Sequence, residues 1–89
     1  MDNETKQRQK IIAQLVAARL EQGISQAELA RRIGTQRSNL SRLESGMQNP
    51  TLDMLLKIAS ALGKDINLSL ADKAEPVPSI IAFGFTTQS

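Results

Sequence analysis

The stretch Ser25-Gln26-Ala27-Glu28-Leu29-Ala30-Arg31-Arg32-Ile33-Gly34-Thr35-Gln36-Arg37-Ser38-Asn39-Leu40-Ser41-Arg42-Leu43-Glu44-Ser45-Gly46 reads as two short helices joined by a turn. Ser25 is a good N-cap. Glu28, three residues on, completes a capping box ahead of Leu29 and Ile33, so a helix is predicted from Gln26 to Ile33. Gly34 breaks it. Thr35 is read as the cap of a further helix that buries Leu40 and Leu43, exposes Gln36, Arg37, Ser38, Ser41 and Arg42, and stops near Ser45-Gly46. Two such helices around a glycine-containing turn can cross steeply and project the second one outward, provided small residues sit at the crossing. Ala30 meets that condition.

Upstream, Ile12, Leu15, Val16 and Leu20 recur at helical spacing from about Thr5 to Gln22, and Gly23 supplies a stop. Downstream, after Met47-Gln48-Asn49-Pro50, Thr51 caps a helix with an apolar stripe of Leu52, Leu55, Leu56, Ala59 and Leu62, widened by Ile58 and closed at Gly63. Ile66, Leu68 and Leu70 then alternate with Asn67 and Ser69, the period of a half-buried strand. Asp72 to Ser79, with Pro76 and Pro78, reads as an extended linker, and Ile80 to Phe85 as a second strand-like run. The organisation expected is a helical domain over residues 1–64 and a strand-like extension over 65–89.

Composition narrows the function classes. The chain has 89 residues, the size of one domain, and its two aromatics, Phe83 and Phe85, lie outside the helical part, so the core must be built from Leu, Ile, Val, Ala and Met. Packing of helices on helices follows. Cysteine and histidine are absent, which removes disulfides, thiol nucleophiles, imidazole acid-base chemistry and nearly every structural zinc site. Ser25 and Thr51 are therefore read as caps and not nucleophiles, the acids show no metal-ligand spacing, and Gly63-Lys64 lacks the rest of a phosphate-binding loop. No catalytic residue, metal or cofactor is assigned. Met1 to Lys10 is polar and no apolar run approaches the ~18 residues of a membrane span, so a soluble, cytoplasmic chain is expected.

The net charge is only +2, but it is unevenly distributed: Arg31, Arg32, Arg37 and Arg42 fall between Ala30 and Leu43 with no acid among them, whereas Asp65 to Glu75 is balanced to slightly acidic. Arg31 and Arg32 lie outside the projecting helix and are read as a solvated face. The absence of aromatics from the central region disfavours single strands and RNA, which are commonly bound by stacking. Duplex DNA is the favoured nucleic acid.

Gly23-Ile24-Ser25-Gln26-Ala27-Glu28-Leu29-Ala30-Arg31-Arg32-Ile33-Gly34, with Ser38-Asn39-Leu40-Ser41-Arg42-Leu43-Glu44-Ser45-Gly46 and Asn49-Pro50-Thr51-Leu52, resembles the helix-turn-helix of the lambda Cro and repressor type, the xenobiotic-response-element family of bacterial and phage regulators. The likeness extends from about Ile12 to Leu62. It departs at Thr35, where an apolar residue is more usual. The resemblance implies an all-α, lambda-repressor-like bundle of four or five helices, the third in the major groove and the second across the phosphate backbone. It implies Arg37, Ser38 and Arg42 as base-reading residues, with Gln36, Asn39 and Ser41 flanking them. Gln26 and Asn49 become phosphate contacts, and Arg19 and Glu44 a partly buried ion pair linking the first helix to the third. Arginine bonds bidentately to guanine, so guanine-containing half-sites are expected.

The leading expectation is thus a regulator that binds double-stranded DNA as a homodimer on a two-fold symmetric operator and represses by occupying it, on the bacterial or phage nucleoid. Strands at Ile66–Leu70 and Ile80–Phe85 would pair between protomers. The alternative, also suggested by the resemblance and by the apolar tail, is an antitoxin that binds a toxin protein through its C-terminal segment and regulates its own operon. A DNA-reading module whose tail simply packs back on the domain is the third reading.

Overall fold

A computed structural model describes residues 2–72. Four helices follow one another: α1 (Asn3–Glu21), α2 (Gln26–Ile33), α3 (Arg37–Glu44) and α4 (Leu52–Ala61). There is no strand among the described residues, so the all-α architecture holds with the smaller of the two helix counts.

Local chemistry sets most of the ends. The Asp2 side chain accepts from the Thr5 N–H and starts α1 earlier than the apolar spacing alone suggests. Ser25 accepts from the Glu28 N–H at 3.0 Å, and Thr51 from the Met54 N–H at 3.1 Å. Gly34, at φ 76°, turns the chain out of α2 while the Thr35 N–H closes back on the Ala30 carbonyl at 2.9 Å. This left-handed closure is what glycine permits without a side-chain clash.

Thr35 does not cap α3. Its backbone is engaged in ending α2, the N-cap of α3 is Gln36, and no side chain caps that helix. The Thr35 hydroxyl instead accepts a hydrogen bond from the Asn39 side chain.

The core forms where the four apolar stripes converge. Leu29 of α2, Leu40 of α3 and Ile58 of α4 are the large side chains most completely enclosed, and Ile12, Leu15 and Ala18 of α1 complete the wall with Leu43, Leu55 and Leu62. Helix α2 packs on α3 and α4, and α1 packs on the same two. Ala30 and Ala59 are fully enclosed, so close approach at the α2 crossing and on α4 depends on side chains no larger than a methyl.

Three expected core positions lie elsewhere. Leu52 and Leu56 are 51% and 37% exposed, while Ile58 is at the centre of the stripe. Successive helix residues turn by about 100°, so Leu56 stands a full step from Leu55, and Leu52 occupies the open first turn. In α1, Leu20 is exposed and the buried positions of the last turns are Ala18 and Arg19.

The strand expected at Ile66–Leu70 is not formed. A strand requires a neighbouring ladder, and the described chain offers no extended segment beside it. Ile66 packs against the core, leaving Leu68 and Leu70 exposed. The run Ile80–Phe85 and most of the proline-containing linker lie outside the described residues.

Candidate nucleic-acid interface

Helix α3 has one buried and one open side. Leu40 and Leu43 face the core, which puts Ser38, Arg42 and Ser45 on the opposite side at helical spacing. Gln36, Arg37, Ser38 and Arg42 are exposed, and Asn39 and Ser41 are half-buried at the margins. The start of the helix is electrically open, with no side-chain cap and no acid in its first turn. Arg37, in that turn, makes no side-chain hydrogen bond or ion pair among the described residues.

The angle of α3 is held by a polar cluster behind it. Arg19 donates from Nε to Glu44 Oε2 at 2.7 Å and from Nη2 to Glu44 Oε1 at 2.8 Å. Its remaining arm, Nη1, donates to the Ile24 carbonyl at 2.8 Å. Gln26 Nε2 donates to the same Glu44 Oε1 at 2.9 Å. The Arg19 and Glu44 side chains are only 9% and 10% exposed. One carboxylate therefore joins the end of α1, the loop before α2, the first residue of α2 and the last of α3. A bidentate, charge-assisted pair of this geometry is directional as well as strong, so it holds α3 at a set angle to α1 and α2.

Arg31 and Arg32 are committed differently. Both reach Glu28 one turn earlier, Arg32 Nε at 2.8 Å from Oε2 and Arg31 Nε at 3.0 Å from Oε1. These hydrogen bonds, first from Arg31 and then from Arg32, hold the Glu28 carboxyl down to about 2, and the same bond raises the Arg31 guanidinium above its usual range. The clamp is legible in the i, i+3 and i, i+4 spacing of Glu28, Arg31 and Arg32.

The sequence reading also missed a chain of contacts on the margin of α3. Asn39 Nδ2 donates to the Thr35 hydroxyl at 3.2 Å, and its Oδ1 accepts from Arg42 Nη2. The Asn39–Arg42 half follows the i, i+3 spacing of a helix, but the Thr35 half does not announce itself, because Thr35 lies outside α3. Beside these residues runs an open groove of about 320 Å³ between the end of α2, α3 and the loop into α4; Asn49, Pro50 and Met54 line its far side. Asn49 is itself exposed, and Gln26 is half-buried by its bond to Glu44. The structure thus leaves Gln36 and Arg37 exposed at the start of α3 and Ser38 and Arg42 exposed on its open side, and withdraws Arg19 and Glu44 behind the helix. Asn39 and Ser41 stay at the edges, Asn49 in the following loop. No group of acids that could hold a metal ion occurs among the described residues, and none of their helices is long and apolar enough to cross a membrane.

Comparison with known proteins agrees with this arrangement. The chain is similar to an uncharacterized HTH-type transcriptional regulator of Haemophilus influenzae, 35% identical over 65 residues, covering 73% of this chain and 66% of that protein. A second, from Sinorhizobium fredii, is 43% identical over 63 residues, 71% of this chain and 31% of the relative. A third, from Methanothermobacter thermautotrophicus, is 43% identical over 47 residues, 53% of this chain and 68% of the relative. The first of these relatives is thus matched over slightly less than two thirds of its length, and the second over less than a third. No solved structure matches the chain. The family model described as helix-turn-helix matches residues 15–68, from the middle of α1 to beyond the end of α4, so that motif and bundle coincide and the chain belongs to the helix-turn-helix family, in the lambda Cro and repressor type that its central residues resemble.

Proposed function

We propose that this chain is a sequence-specific transcriptional regulator that binds double-stranded DNA with the open side of α3 in the major groove. The observation that carries the reading is the contrast in how the central arginines are used. Arg19, Arg31 and Arg32 are engaged with carboxylates inside the domain, whereas Arg37 has no internal partner among the described residues and Arg42 only a neutral one. Exposed guanidinium forks on a projecting helix suit guanine O6 and N7. Arg37, Ser38 and Arg42, with Gln36, Asn39 and Ser41 beside them, then read bases. Gln26 and Asn49 contact phosphates on either flank, a role that fixes orientation and not sequence.

Residues 1–64 form the reader in this proposal and residues 65–89 the assembly element. The regulator acts as a homodimer in the cytoplasm, on a two-fold operator, and represses by occupancy. Support for assembly comes from Leu68 and Leu70, both exposed on a segment of strand-like sequence that has no ladder partner among the described residues. A second copy would supply that partner. The same observation favours a second reading, an antitoxin whose extension adds to the sheet edge of a toxin protein.

Selection of bound duplexes from a randomised pool tests the proposal. A two-fold site with half-sites about one helical turn apart is expected, with a clear preference over scrambled DNA as salt rises. Failure to enrich any sequence would overturn the DNA-reading claim for the isolated chain and favour the partner-binding one. Removal of residues 72–89 addresses assembly: a truncated chain that is still dimeric places the interface before the tail.

A further inference from the structure

We propose that Thr35 is a positioning residue for base recognition: its hydroxyl orients the Asn39 carboxamide, which in turn presents the Arg42 guanidinium. The inference rests on the reading of Arg42 as a base contact and adds a residue that touches no DNA.

The polarity of the chain of contacts is what matters. A carboxamide has a donating and an accepting end. With Nδ2 of Asn39 directed to the Thr35 oxygen at 3.2 Å, Oδ1 is left to face Arg42 Nη2. If the amide turned over, its NH2 would meet the N–H groups of the guanidinium, donor against donor. Thr35 and Asn39 are both half-buried, so water competes poorly for this bond, while Arg42 is exposed. One nitrogen of Arg42 is thus tied to the helix margin and most of its five donors remain unused. A guanidinium held this way loses less freedom on meeting an acceptor than an untethered one.

Arg37 provides the internal control. It has no such tether among the described residues, so disturbing Thr35 should alter discrimination at the base pair read by Arg42 and leave that read by Arg37 intact.

The test compares base preference, position by position, for the full chain and for Thr35→Val, Thr35→Ser and Thr35→Ala. Arg37→Ala and Arg42→Ala serve as markers of which base pair each arginine reads. Valine keeps the shape of threonine, and the groove beside it also presents Ile33, Leu40 and Met54, so an apolar side chain has neighbours there. Thr35→Val should lower discrimination at the Arg42 base pair roughly 2- to 10-fold, the scale of one net hydrogen bond, with the Arg37 base pair and the melting temperature unchanged. Thr35→Ser should restore discrimination, and Thr35→Ala should behave as Thr35→Val, which keeps the test decisive if either variant folds poorly. A parental profile for both Val and Ala variants, or an equal loss at every base pair, would overturn the inference while leaving Arg42 as a reader. Should Arg42→Ala itself leave the profile unchanged, the DNA-contact reading of Arg42 fails, and the role of Thr35 falls with it.

Discussion

The two helices of the motif are the same length, eight residues each, and similarly rich in arginine, yet they are finished in opposite ways. Helix α2 is complete in itself: Ser25 caps it, Glu28 fills its first turn, and Arg31 and Arg32 close on Glu28. Helix α3 is left open. It has no side-chain cap and no acid in its first turn, and its arginines find no carboxylate among the described residues. A helix start without a cap leaves N–H groups and a positive dipole end facing outward. The difference fits the proposed function: what α2 satisfies within the protein, α3 leaves open among the described residues, as a helix that reads DNA would.

The largest expected effect tests whether the open helix depends on the closed scaffold. Glu44→Ala removes the acceptor shared by Arg19 and Gln26 and strands a buried guanidinium, which should cost about 3–5 kcal/mol of stability, a large share of what a small domain possesses. Denaturant titration measures it. A variant with parental stability but altered DNA preference would make Glu44 a reader and break the division between scaffold and reading face.

Next in size, Arg37→Ala and Arg42→Ala should each weaken a specific duplex by roughly 1–3 kcal/mol and relax preference at one base pair. Their folding stability should stay within the small range of surface substitutions. Binding isotherms on cognate and scrambled duplexes, paired with melts, give both quantities. Loss of stability without loss of discrimination would mean that the α3 arginines serve the fold and not the reading of DNA.

Capping sharpens the comparison further. Ser25→Ala should lower stability by about 1 kcal/mol, because it removes the side chain that caps the α2 start. Gln36→Asp should act in the reverse sense, adding a cap to α3 and stabilising it by about 0.5–1 kcal/mol. The same carboxylate should weaken binding to all duplexes by repelling phosphate. If Gln36→Asp binds DNA as tightly as the parent, the α3 start does not face the duplex.

The smallest effect concerns acid. The bonds from Arg31 and Arg32 lower the folded-state pKa of Glu28 from the ordinary 4.5 to about 2. A depressed pKa contributes stability that is present above the unfolded value and lost as pH falls through the folded one, so the window runs from about pH 4.5 down to about 2. Comparing melts of the parent and Glu28→Gln across that range isolates the clamp. Because the pairs are exposed, the difference should be minor, and a steep one would assign α2 a larger share of the fold than its surface pairs can account for.

Much of this molecule was determined by its sequence alone. The bounds of α2 followed from Ser25, Glu28 and Gly34, and those of α4 from Thr51 and Gly63, because caps and left-handed glycine closures act over a few residues and need no distant partner. The open side of α3 was legible for the same reason, since Leu40 and Leu43 leave only one way for Ser38 and Arg42 to point. Tertiary structure decided the rest. It left Leu52, Leu56 and Leu20 outside the core, where spacing alone had counted them inside, because the width of an apolar stripe is set by what packs against it. It also turned Thr35 from a cap into a partner of Asn39 and left Ile66 to Leu70 without a ladder among the described residues. Hydrogen bonds across a turn and strand pairing both depend on groups brought close by the fold, and no local pattern of residues states where those groups will be.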